Sequence, residues 1–280
     1  MIRTARESDI PRLKQIWQVC FGDPDSYIDF FFQNAFQPES TLLLEEDGLP
    51  CSMFFLLDST LVLKGHEYPA AYLYAAATLP EYRGRGYMGR LIRYAGRLCA
   101  ERGWDYIALV PAEKKLWAYY SKFGFINGLC VSVDSWTGTD QKRLPDLSGN
   151  QLDALSLERT RDEVLTQCGG LLWKGEQLRY VLAEHRFTDG RIFQTGCGYA
   201  LYHVIDGLCH IDELMALPGR VEELRRALIC AVPAERYEAF RPYVKGAGEQ
   251  VPRGMFLPLR RGLPSRQAEI GSPYIGLTLG

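Results

Sequence analysis

The sequence predicts an α+β protein of two tandem domains, and three observations carry that prediction. An apolar, strand-like run at residues 71–78 leads through Arg83-Gly84-Arg85-Gly86-Tyr87-Met88-Gly89 into a strongly amphipathic helix. Residues 139–150 are polar and turn-rich, with Pro145 and Gly149 among them. Beyond that stretch the pattern strand, strand, strand, helix, strand repeats the order of the first part.

Residues 2–5 read as a first strand, and Asp9-Ile10-Pro11 opens a helix to about Cys20, with Asp9 as N-cap and proline in the first turn. A second helix spans 25–35, where Tyr27, Phe30, Phe31 and Phe32 form an aromatic cluster; core packing is favoured over a cleft lining. Hairpin strands at 41–45 and 52–63 turn at Asp47-Gly48. In the helix after the glycine loop, Met88, Leu91, Ile92, Ala95, Leu98 and Cys99 recur every three or four residues, and Gly103 follows as a terminator. A strand at 104–110, a helix carrying Tyr120 and a strand at 129–135 complete the first domain. The expected organisation is a catalytic domain at 1–138, a linker at 139–150 and a second domain at 151–280. The second domain carries helices at 156–166, 174–184 and 220–230 and strands at 190–195, 198–205, 208–216, 237–240 and 255–259.

The loop at 83–89 suits a pyrophosphate: glycines let backbone approach an anion, a new helix offers unpaired N–H groups and its positive dipole end, and arginines add charge. Gly84, Gly86 and Gly89 also spell the dinucleotide pattern G-x-G-x-x-G, with Glu113 as an acidic candidate. A dinucleotide loop follows its strand directly and belongs to the first βα unit. Here Leu79-Pro80-Glu81-Tyr82 intervenes and several elements come first. A purely structural turn is the other alternative.

The order Thr78-Leu79-Pro80-Glu81-Tyr82-Arg83-Gly84-Arg85-Gly86 resembles the coenzyme A signature of the GCN5-related N-acetyltransferases (GNAT), R/Q-x-x-G-x-G/A after a strand and V-x-P. Ala118-Tyr119-Tyr120-Ser121-Lys122-Phe123-Gly124-Phe125 resembles the family's F-Y-x-K-x-G-F block at the matching interval. Met88 departs from the usual Gly or Ala, as it does in a subgroup resembling the enhanced intracellular survival acetyltransferases; Val110-Pro111-Ala112-Glu113 extends that likeness. The resemblance implies tandem GNAT-like α/β/α domains, each a central mixed β-sheet flanked by helices, the second degenerate and helping to enclose an acceptor site. The subgroup's usual third, sterol-carrier-like domain is not expected in 280 residues.

What the resemblance implies chemically is acetyl transfer from acetyl-CoA to a primary amine of a small molecule or peptide. Strand-end backbone near Thr78 would polarise the thioester carbonyl, Arg83, Gly84, Arg85, Gly86, Met88 and Gly89 would hold the pyrophosphate, and Tyr120 would protonate the leaving thiolate. Tyr72 and Tyr74 stand where many members carry a glutamate base, and survival-type enzymes use the terminal carboxylate, here that of Gly280; no base is assigned. A noncatalytic acyl-CoA sensor and an aminoacyl transferase using charged tRNA are the alternative readings.

Composition restricts the class further. A 47% hydrophobic content supports packed cores, and a net charge of −2 with pI near 6.1 gives no global case for nucleic acid or anionic membranes. With no apolar leader or membrane-length run, a cytoplasmic location is expected. The eight cysteines include no C-x-x-C pair and most read as small core residues, and His66, His185, His203 and His210 lack metal spacing. No metal is therefore expected.

Overall fold

The computed structural model describes residues 1–138, 153–243 and 249–279. They fall into two compact units: residues 1–60, 68–126 and 255–263 form one, and residues 61–67, 127–254 and 264–280 the other. The expected linker at 139–150 and the carboxylate of Gly280 lie outside the described residues.

The first unit begins with β1 (Ile2–Thr4), α1 (Ile10–Phe21), α2 (Asp25–Asn34), β2 (Thr41–Glu46), β3 (Leu49–Leu63) and β4 (His66–Thr78). It continues with α3 (Tyr87–Glu101), β5 (Tyr106–Leu109) and α4 (Lys114–Ser121). Strands β1 to β5 lie side by side in chain order. The β1–β2 and β2–β3 pairs are antiparallel, whereas β4–β5 is parallel, as the crossover through α3 requires. Residues Met255 to Pro258 then pair antiparallel with β5. A cut at residue 138 would thus strip the first unit of one of its own strands.

Core packing accounts for three of the four clustered aromatics, Tyr27, Phe31 and Phe32, while Phe30 is half-buried. Trp17 lies 4.9 Å from Phe31, 5.5 Å from Phe55 and 5.6 Å from Tyr74 between ring centroids, and Tyr27, Phe31 and Phe32 are buried. Paired hydroxyls, Tyr27 Oη to Tyr74 Oη at 2.9 Å, satisfy the polar ends. Asp9 precedes α1 but makes no side-chain cap. Its carboxylate instead takes two bonds from Arg3, at 2.7 and 2.9 Å, and one from the backbone amide of Arg6 at 2.7 Å, closing the turn before the helix.

The second unit adds β6 (Ile126–Thr137), α5 (Ala154–Cys168), β7 (Gly170–Leu172), α6 (Gly175–Phe187), β8 (Arg191–Thr195), β9 (Gly198–Ile205) and β10 (Leu208–Ala216). After these come α7 (Val221–Ala231), β11 (Arg236–Arg241), β12 (Glu249–Pro258) and α8 (Gln267–Ile270). Its sheet runs β6-β11-β10-β9-β8, mixed because only β10–β11 is parallel among these pairs. Both units therefore present a mixed sheet flanked by helices. In the second, the fully buried Arg161 donates to Glu213 at 3.1 and 3.4 Å, and Tyr199 Oη donates to the same carboxylate at 2.5 Å. Leu277 N adds a further bond at 3.3 Å, tying the tail to this ion pair.

Candidate active site

The end of β4 is shaped by a departure from regular strand geometry. β4 keeps register with β5 only from Ala70 to Tyr72, and Ala75 adopts φ +48°. A non-glycine residue in that region is strained, a condition that concentrates at functional sites. Beyond it, Ser52 Oγ donates to Ala77 O at 3.0 Å and meets Thr78 Oγ1 at 2.7 Å. Cys20 Sγ donates to Thr78 O at 3.5 Å, and Arg83 Nε donates to the same carbonyl at 2.9 Å. Burial pushes the Cys20 thiol up, so it stays a donor. Thr78 and Arg83 are thus brought together, with Ser52 and Cys20 as neighbours the sequence reading overlooked.

From Thr78 the chain makes a short 3₁₀ turn over Pro80–Tyr82 and enters the loop. Gly84 and Gly86 have φ +76° and +74°, and a Cβ built on either meets no atom within 4 Å. The glycines are thus needed for conformation, and the space before them is open. Gly86 is the N-cap of α3 and offers no side chain, and the first helical bond there runs from Arg90 N to Gly86 O at 3.1 Å. The amides of Tyr87, Met88 and Gly89 therefore have no preceding carbonyl of the helix to bind, the condition that makes a helix start receptive to anions.

Side chains around the loop divide their roles. Arg83, Gly84, Arg85 and Gly86 are exposed, and Met88 is half-buried. Arg85 donates to Glu81 O at 3.1 Å and lies 5.2 Å over the Tyr82 ring. Gly89 has a different need for a bare α-carbon, because an added Cβ would fall 2.9 Å from the Phe123 ring. Phe123 follows α4, so this contact seats α4 against the first turn of α3. Tyr120 lies one turn earlier in α4, buried, with its ring 5.6 Å from Phe125 and 5.5 Å from Tyr119. Burial raises its phenol to about 12, which keeps the hydroxyl protonated throughout the neutral range. A groove of about 420 Å³ lies along α3, lined by Arg93, Arg97, Phe123 and Leu257 among others.

Residues 1–127 match the family model of the acetyltransferase (GNAT) domain. The chain carries a GNAT acetyltransferase domain. No curated protein matches the sequence. Among solved structures, a probable N-acyltransferase of unknown function from Enterococcus faecalis is similar with TM-score 0.75 and 13% identity over 92% of this chain and 72% of that one. A GCN5-related N-acetyltransferase from Kribbella flavida gives 0.72 and 18% over 92% and 72%. Eis1 from Mycobacterium abscessus gives 0.69 and 16% over 92% and 74%. These likenesses extend the shared fold across both units, and the GNAT domain makes the protein an acyltransferase. The second unit passes from β10 to α7 with one left-handed glycine, Gly219, where the GNAT loop has two. No helix among the described residues is long and apolar enough to cross a membrane.

Proposed function

We propose that the protein transfers the acetyl group of acetyl-CoA to a primary amine of a small molecule or peptide, the amine attacking the thioester directly. The observation that carries this reading is the uncapped start of α3 behind two left-handed glycines, at the end of a strand distorted at Ala75. Open space before Gly84 and Gly86 fits the pyrophosphate of the cosubstrate, held by amides of residues 84–89 with Arg83 and Arg85 adding charge. Amides at the end of β4, near Thr78, polarise the acyl carbonyl. Tyr120 donates its proton toward the departing sulfur. Its neutral phenol suits a donor, since a group already ionised at pH 7 has no proton to give.

The single left-handed glycine between β10 and α7 supports one CoA per chain. A panel of small amines, aminoglycosides and lysine-bearing peptides, incubated with acetyl-CoA and read by release of free thiol, tests the proposal. Release dependent on one acceptor class supports it and names the substrate. Tight binding of NADH without acetyl-CoA binding would support the dinucleotide reading instead.

A further inference from the structure

Three of the four histidines, remote in sequence, meet around one carboxylate of the second unit. His185 comes from α6, His203 from β9, and Asp212 from β10, with His210 directly across the ladder from His203. Asp212 occupies the bulge where the β9–β10 register slips between Ile211 and Glu213. A bulge re-aims the side chain it displaces. His203 Nδ1 lies 2.9 Å and His185 Nδ1 3.7 Å from Asp212 Oδ2, while His210 Nε2 lies 3.4 Å from Oδ1.

The hydrogen bonds on the far side of each ring fix what faces the carboxylate. His185 Nε2 is 3.1 Å from Arg191 O, and His203 Nε2 is 3.1 Å from Thr188 O. A carbonyl only accepts, so both Nε2 atoms carry hydrogen. In a neutral ring Nδ1 is then a bare lone pair. Two ring nitrogens and a carboxylate oxygen thus converge within 4.8 Å of one another, from three separate elements. The orientation is also locked. A Cβ at Gly190 would come within 2.5 Å of the His185 ring, so glycine there lets the imidazole lie against the backbone.

We infer that His185 Nδ1, His203 Nδ1 and an Asp212 carboxylate oxygen form a binding site for a divalent transition-metal ion, zinc foremost. Borderline nitrogen and carboxylate donors are the set zinc accepts; its bond lengths place neighbouring ligands roughly 3.4 Å apart, so an ion would draw together donors that here lie 2.9 and 3.7 Å from the carboxylate oxygen and within 4.8 Å of one another. Each imidazole already has the backbone carbonyl on its other nitrogen that orients metal-bound histidines. A cavity of about 440 Å³ bordered by His203, His210 and Arg236 adjoins the cluster on the His203 side. The spacing of histidines in the sequence concealed the site, since its ligands come from three separate elements.

Zinc titration of the untagged full-length protein by calorimetry tests this, with cobalt absorption as a second readout. One ion per chain is expected, with affinity falling about 100-fold in Asp212→Asn and in His203→Gln and unchanged in the exposed His66→Gln. Cobalt should give the visible bands of a nitrogen–oxygen site, and both bands and zinc uptake should disappear together in the variants. Melting curves of the metal-free variants show that each folds, and should His203→Gln fail, Asp212→Asn carries the comparison alone. No uptake by the wild type, uptake surviving both substitutions, or thiolate-to-cobalt charge transfer would each overturn the site.

Discussion

Replacing Gly86 with glutamate perturbs the proposed phosphate site while sparing the packing around it. At φ +74° any side chain incurs strain of about 1 kcal/mol, yet a Cβ there touches nothing within 4 Å, so folding loses little more than that. In a protein of this size the melting temperature should fall by roughly 2–4 °C. Binding suffers far more. A carboxylate about 5 Å from a doubly charged pyrophosphate is repelled by about 1.7 kcal/mol in a water-like medium and about 6.6 at an effective dielectric near 20. The smaller figure already weakens affinity roughly 17-fold. Gly86→Asn separates the two effects, because asparagine tolerates the left-handed region and adds no charge. Calorimetry with acetyl-CoA at low ionic strength should rank wild type above Gly86→Asn, and both well above Gly86→Glu. Equal affinity of Gly86→Glu and wild type would refute the assignment of this loop.

Tyr120→Phe should preserve acetyl-CoA affinity while lowering kcat by about 10²; because its phenol titrates only near 12, the wild-type pH–rate profile should show no loss from this group between pH 7 and 10, and unchanged turnover would remove Tyr120 from the mechanism. Arg3 holds the Asp9 carboxyl below its usual range, so its stabilisation is complete above the unfolded value near 4 and lost as pH falls through the lower folded value. Asp9→Asn should accordingly melt lower than wild type at pH 7, with the gap closing in acid. Glu213→Gln strands the buried Arg161 and should destabilise the protein by about 3–5 kcal/mol in denaturant titration, whereas an effect below 1 would mean that the pair contributes little.

Local rules made most elements legible. The 3.6-residue recurrence from Met88 to Cys99 marks α3, and paired turn residues mark the β9–β10 hairpin at Asp206-Gly207. Less legible were features decided by distant partners. β4 begins at His66, before the apolar run, because His66-Glu67-Tyr68-Pro69 is unburied on both faces and carries no alternation that marks a strand. The pairing of Met255 to Pro258 with β5 joins segments far apart in sequence, which no local pattern reports. Within the site, the loop was readable because left-handed backbone demands glycine. Ser52 and Cys20 were not, since a lone serine or cysteine in an apolar stretch looks like any small core residue. Gly89 belongs to the motif, but the reason glycine is required there, the Phe123 ring, emerges only when α4 folds back on α3.

Acetyl transfer itself is tested most directly by mass measurement of the amine product alongside thiol release in a single reaction. Wild type should yield N-acetylated amine and free CoA in equal amounts, with both reduced together in Gly86→Glu and in Tyr120→Phe. Acetyl-CoA bound tightly at this loop, with no acetylated amine formed from any acceptor class, would contradict catalysis and leave a protein that only senses acyl-CoA.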